Sequence, residues 1–156
     1  MSWTLKRFDE LSLHELYSIL QMRNAVFIVE QNCPYQDLDN RDFQAYHLFY
    51  RQDSSITAYC RILPAGLAYP EISIGRVLSA KSVRRTGQGR QLMKEALSFI
   101  AQHWPHQDIK ISAQKYLEEF YAGFGFRSQG KEYLEDNIPH VEMVLDGRTS
   151  QYQLKK

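Results

Sequence analysis

Trp3, Leu5 and Phe8 are placed as in a half-buried strand, and directly after them Ser12-Leu13-His14-Glu15 carries the hydroxyl and carboxylate spacing that caps a helix start. Leu13, Leu16, Tyr17 and Leu20 recur at helical spacing, which predicts that this face is core. From Asn32 to Asp42 apolar residues thin out around Pro34, Asn40 and the acids Asp37, Asp39 and Asp42. That stretch reads as an exposed loop or an irregular second helix, where binding and catalytic residues are often found. His47 to Tyr50 and Ile56 to Leu63 flank a turn at Gln52 to Ser55 and predict a hairpin; Glu71 to Leu78 is the next strand. The first half of the sheet is therefore expected to be antiparallel.

The period changes after Gly89. Leu92, Met93, Ala96, Leu97 and Ile100 form a stripe at spacings of three and four, so this helix lays one face on the sheet until Trp104-Pro105 ends it. Ile109 to Ala113 is again a strand. It has to run parallel to Glu71 to Leu78, because a crossover helix returns the chain to the same edge of the sheet. A short helix from Leu117 to Phe124 is expected to close at Gly125 in a left-handed cap, followed by strands over about 127–134 and 139–145. No repeat or linker divides the chain, so residues 1–156 read as one α/β domain, and 44% hydrophobic content is enough to give it a core.

The net charge is +1, from 19 basic and 18 acidic residues, and offers no general field for nucleic acid or an anionic membrane. Neither partner is expected. No apolar run of about 18 residues occurs, and Met1 to Arg7 lacks the apolar core of a signal peptide, so the expected location is the cytoplasm. In such a compartment Cys33 and Cys60 are expected as free thiols, Cys60 as packing. No His, Cys or Asp spacing repeats a metal-ligand pattern, and Asp37-x-Asp39 lacks the Gly and Glu of a calcium loop, so no metal is expected.

The strongest chemical signal is Arg84-Arg85-Thr86-Gly87-Gln88-Gly89, an Arg-x-x-Gly-x-Gly turn between the strand ending at Leu78 and the amphipathic helix. Glycines let the backbone approach a ligand closely, and unpaired N–H groups at the helix start converge with the positive end of its dipole. Arg84, Arg85 and Arg90 add positive charge, so the turn is suited to a phosphate. It is not a dinucleotide fingerprint, whose third glycine would fall at Leu92, nor a P-loop, which needs Gly-Lys-Ser/Thr. Further on lies Phe120-Tyr121-Ala122-Gly123-Phe124-Gly125-Phe126, after a second apolar strand.

In this order, strand, Arg-x-x-Gly-x-Gly, helix, strand and Tyr-x-x-x-Gly-Phe resemble the acyl-CoA-binding half of the GNAT (Gcn5-related) N-acetyltransferases. Residues 21–39, His47 and Ile138-Pro139-His140 resemble the ElaA subfamily, which extends the likeness over nearly the whole chain. The resemblance implies an α+β GNAT fold: a mixed sheet of about six to seven strands, an antiparallel first half, a splayed parallel pair at the centre and helices on both faces. It implies acetyl-CoA as co-substrate, no metal, direct transfer in a ternary complex, and a small-molecule amine or a peptide amine as acceptor. Homodimers are common in the family.

Carried onto this sequence, the resemblance places the pantetheine arm along Val77, Leu78 and Ser79, with the Leu78 N–H holding the oxyanion. The pyrophosphate would lie on backbone N–H groups from Arg85 through Thr86, Gly87, Gln88 and Gly89 to Arg90, with Arg84 adding charge. Gln114 stands where the family often has an Asn that bonds the pantetheine, and Tyr121 where a phenol protonates the departing thiolate. An acceptor ammonium must lose its proton before attack; Glu30, His47, Glu71, His140 and Glu142 are candidates, with Glu30 and His140 preferred because both lie in the ElaA-like segments. Arg23, Gln31, Tyr35, Asp37, Asp39 and His47 would shape the acceptor pocket, the carboxylates suiting a cationic amine. An acylated Cys33 would be the covalent alternative. A binding module that keeps the acyl-CoA cleft without turnover, and an enzyme acting on a protein amino terminus or lysine, are the rival readings.

Overall fold

The computed structural model describes residues 2–148. Seven strands form two antiparallel sheets. Four of them, β1 (Ser2–Arg7), β2 (Tyr46–Gln52), β3 (Ser55–Leu63) and β4 (Ser73–Ser79), lie in sequence order. The others, β5 (Ile109–Gln114), β6 (Arg127–Glu135) and β7 (Ile138–Leu145), are ordered β5-β7-β6. The sheets meet at one parallel bridge, Ile72 to Ile109, where the Lys110 N–H donates to the Ile72 carbonyl at 2.8 Å. The parallel pair expected from the crossover is thus present and splayed.

β3 is buried from Ile56 to Leu63 because both of its faces are covered. Ala58, Cys60 and Ile62 meet Leu92, Met93, Ala96, Leu97 and Ile100 of α2 (Gln88–His103), the stripe expected from its spacing. On the other face Tyr59 packs with Phe49, Leu78, Phe27 and Ile19 of α1 (Leu13–Arg23). Cys60 is fully buried, and burial pushes its thiol pKa up, so it is an inert packing residue. α3 (Glu118–Ala122) is shorter than expected, and Gly125 has the left-handed φ of 104° that its cap position requires.

α1 departs from its periodicity. Ser12 and Glu15 form the expected capping box, but Leu13 and Tyr17 are 83% and 72% exposed. The buried residues are Glu15, Ile19 and Arg23. Polar groups can turn inward here because each has partners: Glu15 accepts from Lys6 at 3.0 Å and Arg51 at 2.6 Å, and Arg23 is held by two aspartates. The chain then continues as a π-helical turn, Asn24–Glu30.

Candidate active site

β4 leaves the register of β3 midway. Tyr59 pairs with Leu78 but Arg61 with Gly75, so Arg76 and Val77 together stand against Cys60. Arg76 has φ 52°, in the left-handed region, as a bulged residue can. Beyond the Ile72–Ile109 bridge β4 pairs with no strand on its β5 side among the described residues, and a cleft of about 1010 Å³ lies in the gap. Val77, Leu78 and Ser79 wall it on one side and Ile111, Ser112 and Gln114 on the other, while Leu117, Phe120 and Tyr121 close one end. Gln31 reaches across to Gln114, amide to amide, at 3.4 Å.

The Ala80 N–H donates to the Thr57 carbonyl at 2.8 Å. Bonded pairs alternate along an antiparallel ladder, so two residues earlier Leu78 turns its N–H and carbonyl toward Tyr59. Ser79, between these two bonded pairs, turns its N–H the other way, toward the cleft it lines. The N–H expected to hold the oxyanion, that of Leu78, is therefore turned away from the cleft.

At the cleft mouth Gly87, φ 90°, is the N-cap of α2 and provides no side-chain cap, so the N–H groups of the first turn stay open. Gly89 lines the cleft, and a Cβ built there meets no atom within 4 Å. The side chains around them point elsewhere. Thr86 bonds the Val83 carbonyl, Gln88 accepts from the Thr57 hydroxyl at 2.5 Å, Arg90 leans on the Phe124 ring at 5.6 Å, and Arg85 is exposed. Arg84 donates to the Ser79 carbonyl at 3.1 Å and grips Glu30 with both guanidinium nitrogens at 2.6 and 3.0 Å. This bond holds the Glu30 carboxyl below its usual pKa. A carboxylate so paired takes up a proton less readily than a free one.

His140 is 7% exposed and lines the cleft. Its Nδ1 lies 2.7 Å from the Ile138 carbonyl oxygen, which can only accept, so Nδ1 carries a hydrogen, and the neutral form of the ring has its lone pair on Nε2. The ring stacks on Tyr133, whose hydroxyl bonds that of Ser112. Tyr121 is 6% exposed, and burial raises its phenol pKa, so it remains protonated at neutral pH. Glu71 and Glu142 do not line the cleft; Glu142 pairs with Lys110 at 3.2 Å.

The acid-rich loop is not an open turn. Asp42 joins Arg23 at 2.8 Å and Arg61 at 3.0 Å; Asp37 joins Arg23 at 2.9 Å and Arg76 at 2.6 Å; Asp39 joins Arg61 at 2.6 Å. Arg23 is fully buried. Burial opposes ionisation of Asp39 and Asp42, yet bonds to the arginines outweigh it and hold both carboxyls below their usual range. These acids are spoken for, so they hold no free charge for an amine. Asp39 and Tyr35 border the cleft, whereas Arg23 and Asp37 stand behind it. Burial pushes Tyr35 up to about 12, and its hydroxyl donates to Asp37 at 3.1 Å. His47 is also corrected: 1% exposed, it donates from Nε2 to the Asp42 carbonyl at 3.0 Å and accepts the Tyr59 hydroxyl at Nδ1, 2.7 Å, away from the cleft. Cys33 donates its thiol to the Asp136 carbonyl at 2.9 Å.

The model of the acetyltransferase (GNAT) domain matches residues 15–146. This chain belongs to the GNAT acetyltransferase family. ElaA of Escherichia coli is 39% identical over 148 residues, covering 94% of this chain and 97% of that protein. The UPF0039 protein of Synechocystis is 39% identical over 146 residues, covering 93% and 95%. Among solved structures, an acyl-CoA N-acyltransferase from Pseudomonas aeruginosa superposes with a TM-score of 0.88 at 39% identity, covering 93% of this chain and 99% of that one. The GNAT fold explains the cleft, since its members use acyl-CoA. The residues present fit that group: open helix N–H groups beside Gly87 and Gly89, and a bare β4 edge running inward from them.

Two functional groups escaped the sequence reading. Arg61 and Arg76 interrupt apolar strands, a sign that a buried charge is paired. Glu135 and Asp136, on the β6–β7 turn, also line the cleft. Among the described residues no group of three or more His, Cys, Asp or Glu could hold a metal ion, and no helix is long and apolar enough to cross a membrane.

Proposed function

We propose that the protein is an acetyl-CoA-dependent N-acetyltransferase that moves the acetyl group directly to a primary amine in a ternary complex in the cytoplasm. The observation that carries this is one cleft lined by a bulged strand edge, a protonated phenol and a histidine whose Nδ1 is bonded to the main chain. Bound acetyl-CoA supplies the activated thioester. The first turn of α2 holds its pyrophosphate, and Val77 to Ser79 hold its pantetheine arm. His140 Nε2 takes a proton from the acceptor ammonium and passes it to solvent. The neutral amine attacks the thioester carbonyl, forming the C–N bond as the C–S bond breaks, and the Val77 N–H stabilises the charge on the carbonyl oxygen. Tyr121 protonates the thiolate and regains a proton from the new amide nitrogen, so the ammonium loses two protons, one to solvent and one to the thiol. Both cysteines are free, in keeping with a reducing compartment.

The test is calorimetric titration with acetyl-CoA and CoA, followed by thiol release against polyamines, amino sugars and peptides. Micromolar binding with amine-dependent release supports the transferase. Binding without release from any amine points to a sensor, and absence of binding refutes the phosphate turn.

A further inference from the structure

At the acceptor end the three loop aspartates are neutralised by three arginines. Two acids on the cleft wall are not. Glu135 and Asp136 have no cationic partner within ion-pair distance among the described residues. Glu135 accepts from the Ser112 hydroxyl at 3.1 Å, and Asp136 lies in the turn that the Cys33 thiol fastens to the acid-rich loop at 2.9 Å.

Their placement relative to the base follows from register. Ile138 and His140 are alternate residues of β7 and share a face; Glu135 lies opposite Ile138, and Tyr133 opposite His140. Ser112, Glu135, Ile138 and His140 of this face line the cleft. From His140 to Glu135 is two residues along one strand and one strand across, roughly 8 Å between Cα atoms. His140, 7% exposed, lines the same cavity.

We propose that the acceptor carries a second positive charge: an aliphatic diamine or its equivalent, with one nitrogen at His140 and the other held by Glu135 and Asp136. The assignment rests on the transferase reading. It differs from the earlier expectation that Asp37 and Asp39 would bind the amine, since both are saturated by arginine. A second ammonium would fill the unpaired negative site and fix the register of the first nitrogen at the thioester. A carboxylate at that end would instead meet two acids.

The experiment uses the full chain with saturating acetyl-CoA and follows thiol release with 1,4-diaminobutane, 1,5-diaminopentane, n-pentylamine and 5-aminopentanoate. A diamine is expected to exceed n-pentylamine in kcat/KM by about tenfold or more, the size of one charge-assisted bond, with 5-aminopentanoate slowest. In the double variant Glu135→Gln, Asp136→Asn the diamine-to-monoamine ratio should fall toward one, while calorimetric acetyl-CoA affinity reports that the fold is kept. Equal rates for diamine and monoamine, preference for 5-aminopentanoate, or a ratio unmoved in the double variant overturns the diamine assignment and leaves the transferase standing. No release from any amine overturns both.

Discussion

Gly89→Ala separates folding from ligand binding by sign. Gly89 is the second residue of α2, its φ is not left-handed, and an added Cβ meets no protein atom within 4 Å. Alanine in a helix is better than glycine by about 0.5–1 kcal/mol, through the lower entropy of the unfolded chain. The new methyl nevertheless stands in the cleft where a pyrophosphate oxygen must approach the first-turn N–H groups. Loss of one hydrogen bond to a charged group costs about 1.5–3 kcal/mol, or roughly ten- to 150-fold in Kd. Urea denaturation should therefore show an unchanged or higher midpoint while calorimetry shows weaker CoA binding. Wild-type affinity in a folded variant would refute the seating of pyrophosphate on this turn. Gly87 cannot serve the same purpose, because at φ 90° any side chain is strained whatever the ligand does.

Tyr121→Phe should lower kcat by about tenfold or more with acetyl-CoA affinity kept; full activity would remove the phenol from thiolate protonation. His140→Gln should lower kcat/KM by about a hundredfold or more, again at constant CoA affinity, and a titration showing lost CoA binding would mean that the ring is structural. Asp42→Asn leaves Arg23 and Arg61 short of a counter-charge in a buried site and should cost about 3–5 kcal/mol in urea denaturation. Acid should unfold the protein in two stages. Burial depresses His47, so its contribution is present above about pH 6.5 and is lost as pH falls toward its lower folded value. Asp39 and Asp42 are also depressed, and their contribution is present above about pH 4 and lost below it. Denaturation across pH in His47→Gln should lack the first stage and keep the second.

Where burial follows apolar period, the sequence was readable: the stripe of α2 and the continuous apolar run of β3 lie where spacing puts them. The Gly turn was readable as backbone chemistry, since two glycines at a helix start announce open N–H groups, but the directions of its side chains were not. Arg84 spans to Glu30, fifty-four positions away in the chain, and such a pairing leaves no local trace. α1 misled because its inward face is polar, and a polar residue is buried only when partners from distant elements meet it, as Asp37 and Asp42 meet Arg23. The β4 bulge was equally hidden. The bonded pairs around Leu78 turn its N–H toward Tyr59 and away from the cleft, a matter of strand register that spacing from the Gly turn does not fix.

The buried ion network bears on the chemistry through that bulge. A non-glycine residue in the left-handed region is unfavourable by about 1–2 kcal/mol, so Arg76 at φ 52° needs something to hold it there. Asp37 does so twice, accepting the Arg76 Nε at 2.6 Å on its carboxylate and a second guanidinium nitrogen at 2.8 Å on its main-chain carbonyl. Asp37 is in turn fixed by Arg23, which reaches it from the end of α1 and has no route to solvent. A buried arginine survives only where carboxylates surround it, and the three aspartates of the loop supply them to Arg23, Arg61 and Arg76 alike. On the proposed mechanism the loop thus acts one step removed from the substrate: its acids hold the backbone angle of the residue that precedes Val77. On that mechanism Arg23 and Asp37 are positioning residues, and the charge proposed to select the acceptor belongs to the β6–β7 turn.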